Sequence, residues 1–205
     1  MTEQNSRFAH ALPPCVNELV NIWVQEDVPG FDIGGYVVGE KEETAHLYCK
    51  SLGVIAGIPF AQAVFDKFGL EVEWKCDEGT LIEPQPKFVC AIVRGKCRNI
   101  LMAERISLNI LARASGVASR AKRVVDIAKD WGWHGYVAGT RKTTPGFRAV
   151  EKYALVVAGA ATHRQDLSQM VMLKDNHIWS AGSITKAVLK AKTFSGFSMK
   201  IEVSK

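Results

Sequence analysis

The sequence lacks the marks of a membrane protein, a secreted protein or a zinc enzyme. No uninterrupted apolar run approaches the ~18 residues a spanning helix needs. The amino-terminal MTEQNSRFAHALPP has neither the basic start nor the apolar centre of a signal peptide. Cysteine is scarce and odd in number: five residues, Cys15, Cys49, Cys76, Cys90 and Cys97, lie far apart with no CxxC pair. That spacing reads as reduced, mostly buried thiols of a cytosolic protein rather than a disulfide framework. A soluble cytoplasmic chain without a membrane partner is expected. No Lys/Arg block or basic–aromatic motif is present, so nucleic acid is not an expected partner. GxxxxGK[ST], GxGxxG and HExxH are missing, as are a Cys/His cluster and a serine elbow. These absences favour electrostatic catalysis on a positioned anion over covalent or hydride chemistry.

What is present describes a folded enzyme-sized chain. Its 205 residues are 47% apolar and 23% charged, enough for one large domain or two smaller ones. The net charge of +5 and pI near 9.0 leave room for an acidic ligand. After Pro13-Pro14, the spacing of Val16, Leu19, Val20 and Trp23 predicts a helix over Val16–Asp27, ending at Val28-Pro29-Gly30. A strand is expected between Thr44 and Val54. Next comes a helix from Phe60 to Phe68, with Pro59 in its first turn and Gly69 closing it. Glu71–Cys76 alternates as a half-exposed strand, and Phe88–Arg94 reads as another. The first ~95 residues therefore suggest a small α+β layer with antiparallel strands. From Arg98 to Trp131 the chain reads as helical. Apolar residues surround the axis broadly, as in a buried helix, with a bend at Ser115-Gly116 and a second helix over Val117–Trp131.

Beyond Trp131 the texture changes to short strand, charged loop, helix. Tyr136–Thr140, Met170–Lys174 and Met199–Val203 are strand candidates, with helices over about Phe147–Ala158 and Ser183–Phe194. This is the pattern of β/α units with right-handed crossovers. Cations gather where the strands end: Arg141-Lys142, His163-Arg164, and Lys174 through His177. The carboxyl ends of the strands carry the chemistry both in a β/α barrel and in an open doubly wound sheet, and both remain open here. Arginine forks and lysine point charges at these ends suit a ligand with several carboxylates or phosphates. Arg148 and Lys152 read as a solvated helix face with Glu151 as counter-ion, and His177 as a possible helix cap.

The blocks AERISLNILARASGVAS (Ala103–Ser119), GTRKTTPGFRAVEKYA (Gly139–Ala154), AGAATHR (Ala158–Arg164) and VMLKDNHI (Val171–Ile178) resemble the quinolinate phosphoribosyltransferases. The similarity runs along nearly all of the chain. It implies an α/β fold: an α+β, sandwich-like amino-terminal domain with a dimer helix (1–115), then the first part of a β/α barrel (116–205), incomplete in this chain. It implies transfer of phosphoribosyl from phosphoribosyl pyrophosphate to quinolinate with loss of CO₂, a step of NAD synthesis, with Mg²⁺ as cofactor. Arg141, His163, Arg164 and Lys174 would then bind quinolinate carboxylates. Lys142 and Lys174 would face the sugar donor as the catalytic pair, and Arg105 would reach into the neighbouring subunit's site of a homo-oligomer.

One departure from the family pattern lies at KIEVSK, where Ser204 stands in place of a second glutamate of the acidic set. Two expectations follow. The chain is an enzyme of this family, or it is a truncated form that is inactive alone and at most pairs with a full-length subunit.

Overall fold

The computed structural model describes residues 9–10, 12–194 and 200–204. Met199 and most of the amino-terminal stretch lie outside them. The fold is mixed α/β and divides into two compact units: residues 1–139 with 143–161, and residues 140–142 with 162–205.

In the larger unit the first helix, α1 (Val16–Asp27), forms where its apolar spacing places it and buries Val16 and Val20. Its Trp23 packs edge-on against Phe147, with ring centres 5.4 Å apart. A short helix not anticipated from sequence, α2 (Ile33–Val38), starts where Asp32 Oδ1 accepts a hydrogen bond from Gly35 N at 2.8 Å. Then come β1 (Glu42–Cys49), β2 (Gly53–Val54), α3 (Ile58–Lys67), β3 (Glu71–Trp74), β4 (Leu81–Ile82) and β5 (Phe88–Lys96). β1, β5 and β3 form an antiparallel sheet in that order, and β2 pairs with β4. The pairing of β1 with β5 slips between Leu47 and Tyr48. Leu47 faces Ala91 and Tyr48 faces Val89, so Cys90 is the extra residue of a β-bulge.

Helix α4 (Cys97–Asp130) runs unbroken for 34 residues, which corrects the expected bend at Ser115-Gly116. Ser115 Oγ accepts from Ala56 N at 3.0 Å, and Ser119 Oγ accepts from Val54 N at 2.8 Å. Tertiary bonds thus hold the stretch in helix against the modest cost of one exposed glycine. Nor is α4 buried all round. It buries one stripe that includes Ala103, Ile106, Ile110, Ala114, Ala118 and Ala121, while Leu101 stays exposed. The small side chains let α3 come close. Gly57, at φ +100°, precedes α3, and a Cβ there would lie 2.9 Å from Ala114 Cβ.

The start of α3 is capped from a distance. Glu78, 1% exposed, accepts from Gly57 N at 2.7 Å through Oε1 and from Ile58 N at 2.8 Å through Oε2. Burial pushes this carboxyl up to about 7, although the two backbone hydrogen bonds and Tyr153 pull the other way.

After α4 the expected strand at Tyr136–Thr140 is reduced to a parallel bridge between Ala138 and Ala161. Gly139 N donates to Ala161 O (2.9 Å), and Ala161 N donates to Val137 O (2.8 Å). Helix α5 (Arg148–Val157) is the crossover between these two segments. It corrects another reading, because Lys152 and Glu151 are buried rather than on a solvated face.

The smaller unit pairs β6 (Val171–Leu173) in parallel with β7 (Ile201–Val203), in the register Val171–Ile201, Met172–Glu202 and Leu173–Val203. The crossover holds two helices where sequence suggested one: α6 (Asp175–Ala181) and α7 (Ile184–Lys192), the latter capped by Ser183 Oγ. Gly182, at φ +85°, makes the turn between them.

A candidate active site at the ends of parallel strands

The five cations expected at strand ends each follow the carboxyl end of a parallel segment. Arg141 and Lys142 come directly after the 137–139 segment, His163 and Arg164 after Ala161, and Lys174 after β6. All five belong to the smaller unit, together with Glu202 of β7. Sequence reasoning expected a strand end before His163 without giving the strand a range, and the structure shows there an isolated bridge at Ala161.

His163 has φ 56°, the only positive φ of a non-glycine residue among the described residues. Left-handed backbone of this kind costs a side chain ~1 kcal/mol or more and is held only by its surroundings. Its Nε2 lies 2.8 Å from Glu202 Oε2, so β7 fixes the imidazole from across the unit. Arg164 is buried, and its Nη1 donates to Met170 O at 3.3 Å. Arg141 is half-buried, whereas Lys142 is exposed, with its backbone N–H bonded to Thr140 Oγ1 at 3.0 Å. Lys174 is exposed at the start of α6, where His177 Nδ1 accepts from its backbone N at 3.1 Å. His177 thus serves as a cap. Arg105 stands apart, on the exposed side of α4 in the larger unit, with Glu104 Oε1 3.9 Å from its Nη2.

One supporting group was not legible. Glu151, buried on α5, accepts from Arg113 Nε at 2.8 Å, Thr144 Oγ1 at 2.7 Å and Thr144 N at 3.2 Å. Burial alone would raise its carboxyl, but the bonds from Thr144 and the Arg113 guanidinium outweigh it and hold it below the usual range. Arg148 Nε adds a bond to Thr143 Oγ1 at 3.0 Å. The turn that follows Lys142 is thereby fastened at both Thr143 and Thr144.

Guanidinium groups with fixed forks and two lysines are the chemistry that suits an anion. Among the described residues, no group of three or more His, Cys, Asp and Glu could hold a metal ion, and no helix is long and apolar enough to cross a membrane.

Family comparison agrees with this arrangement. Residues 32–115 match the quinolinate phosphoribosyl transferase N-terminal domain, and residues 117–205 match its C-terminal domain. The chain belongs to the quinolinate phosphoribosyltransferase family. It is 50% identical over 193 residues to the carboxylating nicotinate-nucleotide pyrophosphorylase of Rattus norvegicus and 48% identical over 197 residues to that of Homo sapiens. These alignments cover 94% and 96% of this chain but 64% and 66% of the relatives, so it spans slightly less than two thirds of their length. The fold is shared with the NadC structure from Streptococcus pyogenes (TM-score 0.85, 32% identity, 94% of this chain and 68% of that one). The nicotinate-nucleotide pyrophosphorylase of Francisella tularensis has a TM-score of 0.79 at 31% identity, covering 93% of this chain and 68% of that one. Phosphoribosyltransferases of this family thus share both parts of the fold with this chain.

Proposed function

We propose that the protein transfers phosphoribosyl from phosphoribosyl pyrophosphate to quinolinate and releases CO₂, the activity for which its carboxylating relatives are named. The observation that carries this is the run of Arg141, His163, Arg164 and Lys174 at successive parallel strand ends within one unit. In this reading Arg141, His163 and Arg164 grip the two ring carboxylates. Lys174 stands between acceptor and donor, and Lys142 meets the phosphates of the donor. The ring nitrogen then attacks the anomeric carbon as diphosphate leaves, and the pyridinium so formed stabilises the carbanion left by decarboxylation. The protein contributes position and charge complementarity rather than a nucleophile of its own.

Magnesium belongs to this proposal only as a companion of the donor. The described residues form no group of three or more His, Cys, Asp and Glu that could hold it. Mg²⁺ is commonly held by substrate phosphates with one or two carboxylates, so it would arrive with the diphosphate. Arg105, 60% exposed along its side chain, would reach the site of a second copy in a homodimer.

Calorimetry with quinolinate and with nicotinate tests the acceptor assignment. Quinolinate should bind at least tenfold more tightly, and Arg141→Ala should remove that preference, because losing a bond to a charged group costs about 1.5–3 kcal/mol. Equal binding of the two acids sinks the reading. Where quinolinate-dependent CO₂ release with phosphoribosyl pyrophosphate and Mg²⁺ is measured, Lys142→Ala should lower it while leaving quinolinate affinity unchanged.

A further inference from the structure

His163 has one ring nitrogen left over, and the partner of the other decides what it can do. Nε2 lies 2.8 Å from Glu202 Oε2, between side chains that are both partly buried. A carboxylate oxygen only accepts, so the hydrogen of this bond sits on Nε2. A neutral imidazole carries a single N–H, and here it is directed at β7. Nδ1 is then a bare lone pair, able to accept and unable to donate. The partner is held in place as well, because Glu202 is paired with Met172 in the parallel register of β6 and β7.

The other histidine of this unit is in the opposite condition. His177 Nδ1 accepts from Lys174 N at 3.1 Å, so its neutral form already has an N–H to offer at Nε2. The remaining acidic side chains of the unit turn to backbone beside them. Asp166 Oδ1 accepts from Ser168 N at 2.7 Å and from Gln169 N at 3.1 Å, and Asp175 Oδ1 accepts from Asn176 N at 2.9 Å. The carboxylate that faces the His163 ring is therefore that of Glu202, and the site cations of the same unit are Arg141, Lys142, Arg164 and Lys174.

In the proposed function His163 grips a carboxylate of the acceptor, and a carboxylate is a second hydrogen-bond acceptor. Two acceptors on one ring require two ring hydrogens. We propose that Glu202 is a positioning residue that makes quinolinate binding take up one proton. The proton comes from solvent and adds to Nδ1. The imidazolium so formed donates Nε2–H to Glu202 and Nδ1–H to the ligand. The positive charge at His163 thus arrives with the anion it meets, rather than standing beside Arg141 and Arg164 in the empty protein. Such uptake presupposes the acceptor assignment made above and adds to it the charge state of His163.

Calorimetry of quinolinate binding at pH 8, repeated in buffers of different ionisation enthalpy, counts the protons directly. The unaltered protein should take up about one proton per ligand, and its affinity should fall about tenfold per pH unit between pH 7.5 and 9. That range lies above the ordinary titration of histidine and below that of lysine. In Glu202→Gln the amide N–H can donate to the ring, which frees a neutral imidazole to turn its own N–H to the ligand. Uptake should then drop toward zero and the pH dependence should flatten. His163→Asn should do the same, since an amide donates without gaining a proton and asparagine tolerates left-handed backbone. Binding without proton uptake in the unaltered protein overturns the proposal and leaves the acceptor assignment standing. Undiminished uptake in Glu202→Gln, with affinity lowered equally at every pH, overturns the role of Glu202. If quinolinate does not bind at all, the acceptor assignment falls and the proton uptake with it. The ring-nitrogen NMR shifts of His163 in the free protein at pH 8 check the pair without ligand: an Nε2–H form is expected, and an Nδ1–H form overturns the proposal.

Discussion

Glu78 allows a quantitative check on how the larger unit is held together. The carboxyl is buried, caps α3 through Gly57 N and Ile58 N, and is raised from 4.5 to about 7. In the unfolded chain it returns to the ordinary glutamate value. Between those two values the folded state holds a proton that the unfolded state has lost, so stability falls as pH rises. The contribution is fully present below pH ~4.5 and gone once pH passes ~7. At about 1.4 kcal/mol per pH unit of separation, the swing is about 3 kcal/mol. Urea unfolding at a series of pH values from 4.5 to 8 measures it, with Glu78→Gln as the comparison. The variant should start lower by about 1–3 kcal/mol, because an amide has one accepting oxygen for two N–H groups. Its stability should also lack the Glu78 swing, so the difference between the two proteins narrows as pH rises. Parallel curves across that range would refute the assignment of a buried, proton-holding cap.

Three further outcomes test other parts of the fold. Gly57→Ala should lower stability by about 2 kcal/mol or more in urea unfolding, since φ +100° is strained for any side chain and the new methyl meets Ala114. Gly116→Ala should do the opposite by about 0.5–1 kcal/mol, readable as a raised Tm, because that helical position is open within 4 Å. Glu151→Gln should cost about 1.5–3 kcal/mol by weakening the bond from Arg113. By loosening the turn after Lys142 it should also weaken quinolinate binding in calorimetry.

What the sequence made legible and what it hid follow one physical division. Helix α1 and strand β3 could be read because their own residues alternate at helical or strand spacing, and local spacing is all that a window of sequence contains. The cations after the parallel segments were legible for the same reason: they interrupt apolar runs. The continuity of α4 was not, because the partner of Ser115 is the backbone of Ala56, 59 residues away. The burial of Glu151 depends on Arg113, 38 residues away, so an acid and a base side by side looked like a solvated face. The bulge at Cys90 arises from a mismatch between two strands and exists in neither alone. The places of Arg141, Lys142 and Lys174 after apolar segments were legible, but the His163–Glu202 bond needed the parallel register of β6 and β7.

The alanine stripe of α4 sets a limit on how this protein can change. Where Ala103, Ala114 and Ala118 are fully buried, each side chain is a single methyl group, so there is almost nothing to remove and no room to add. Substitutions along most cores fail by leaving holes. Here they fail by crowding, since even a Cβ at Gly57 would come within 2.9 Å of Ala114. This seam therefore has a ceiling on side-chain size, and variation that accumulates elsewhere in the unit must leave its width untouched.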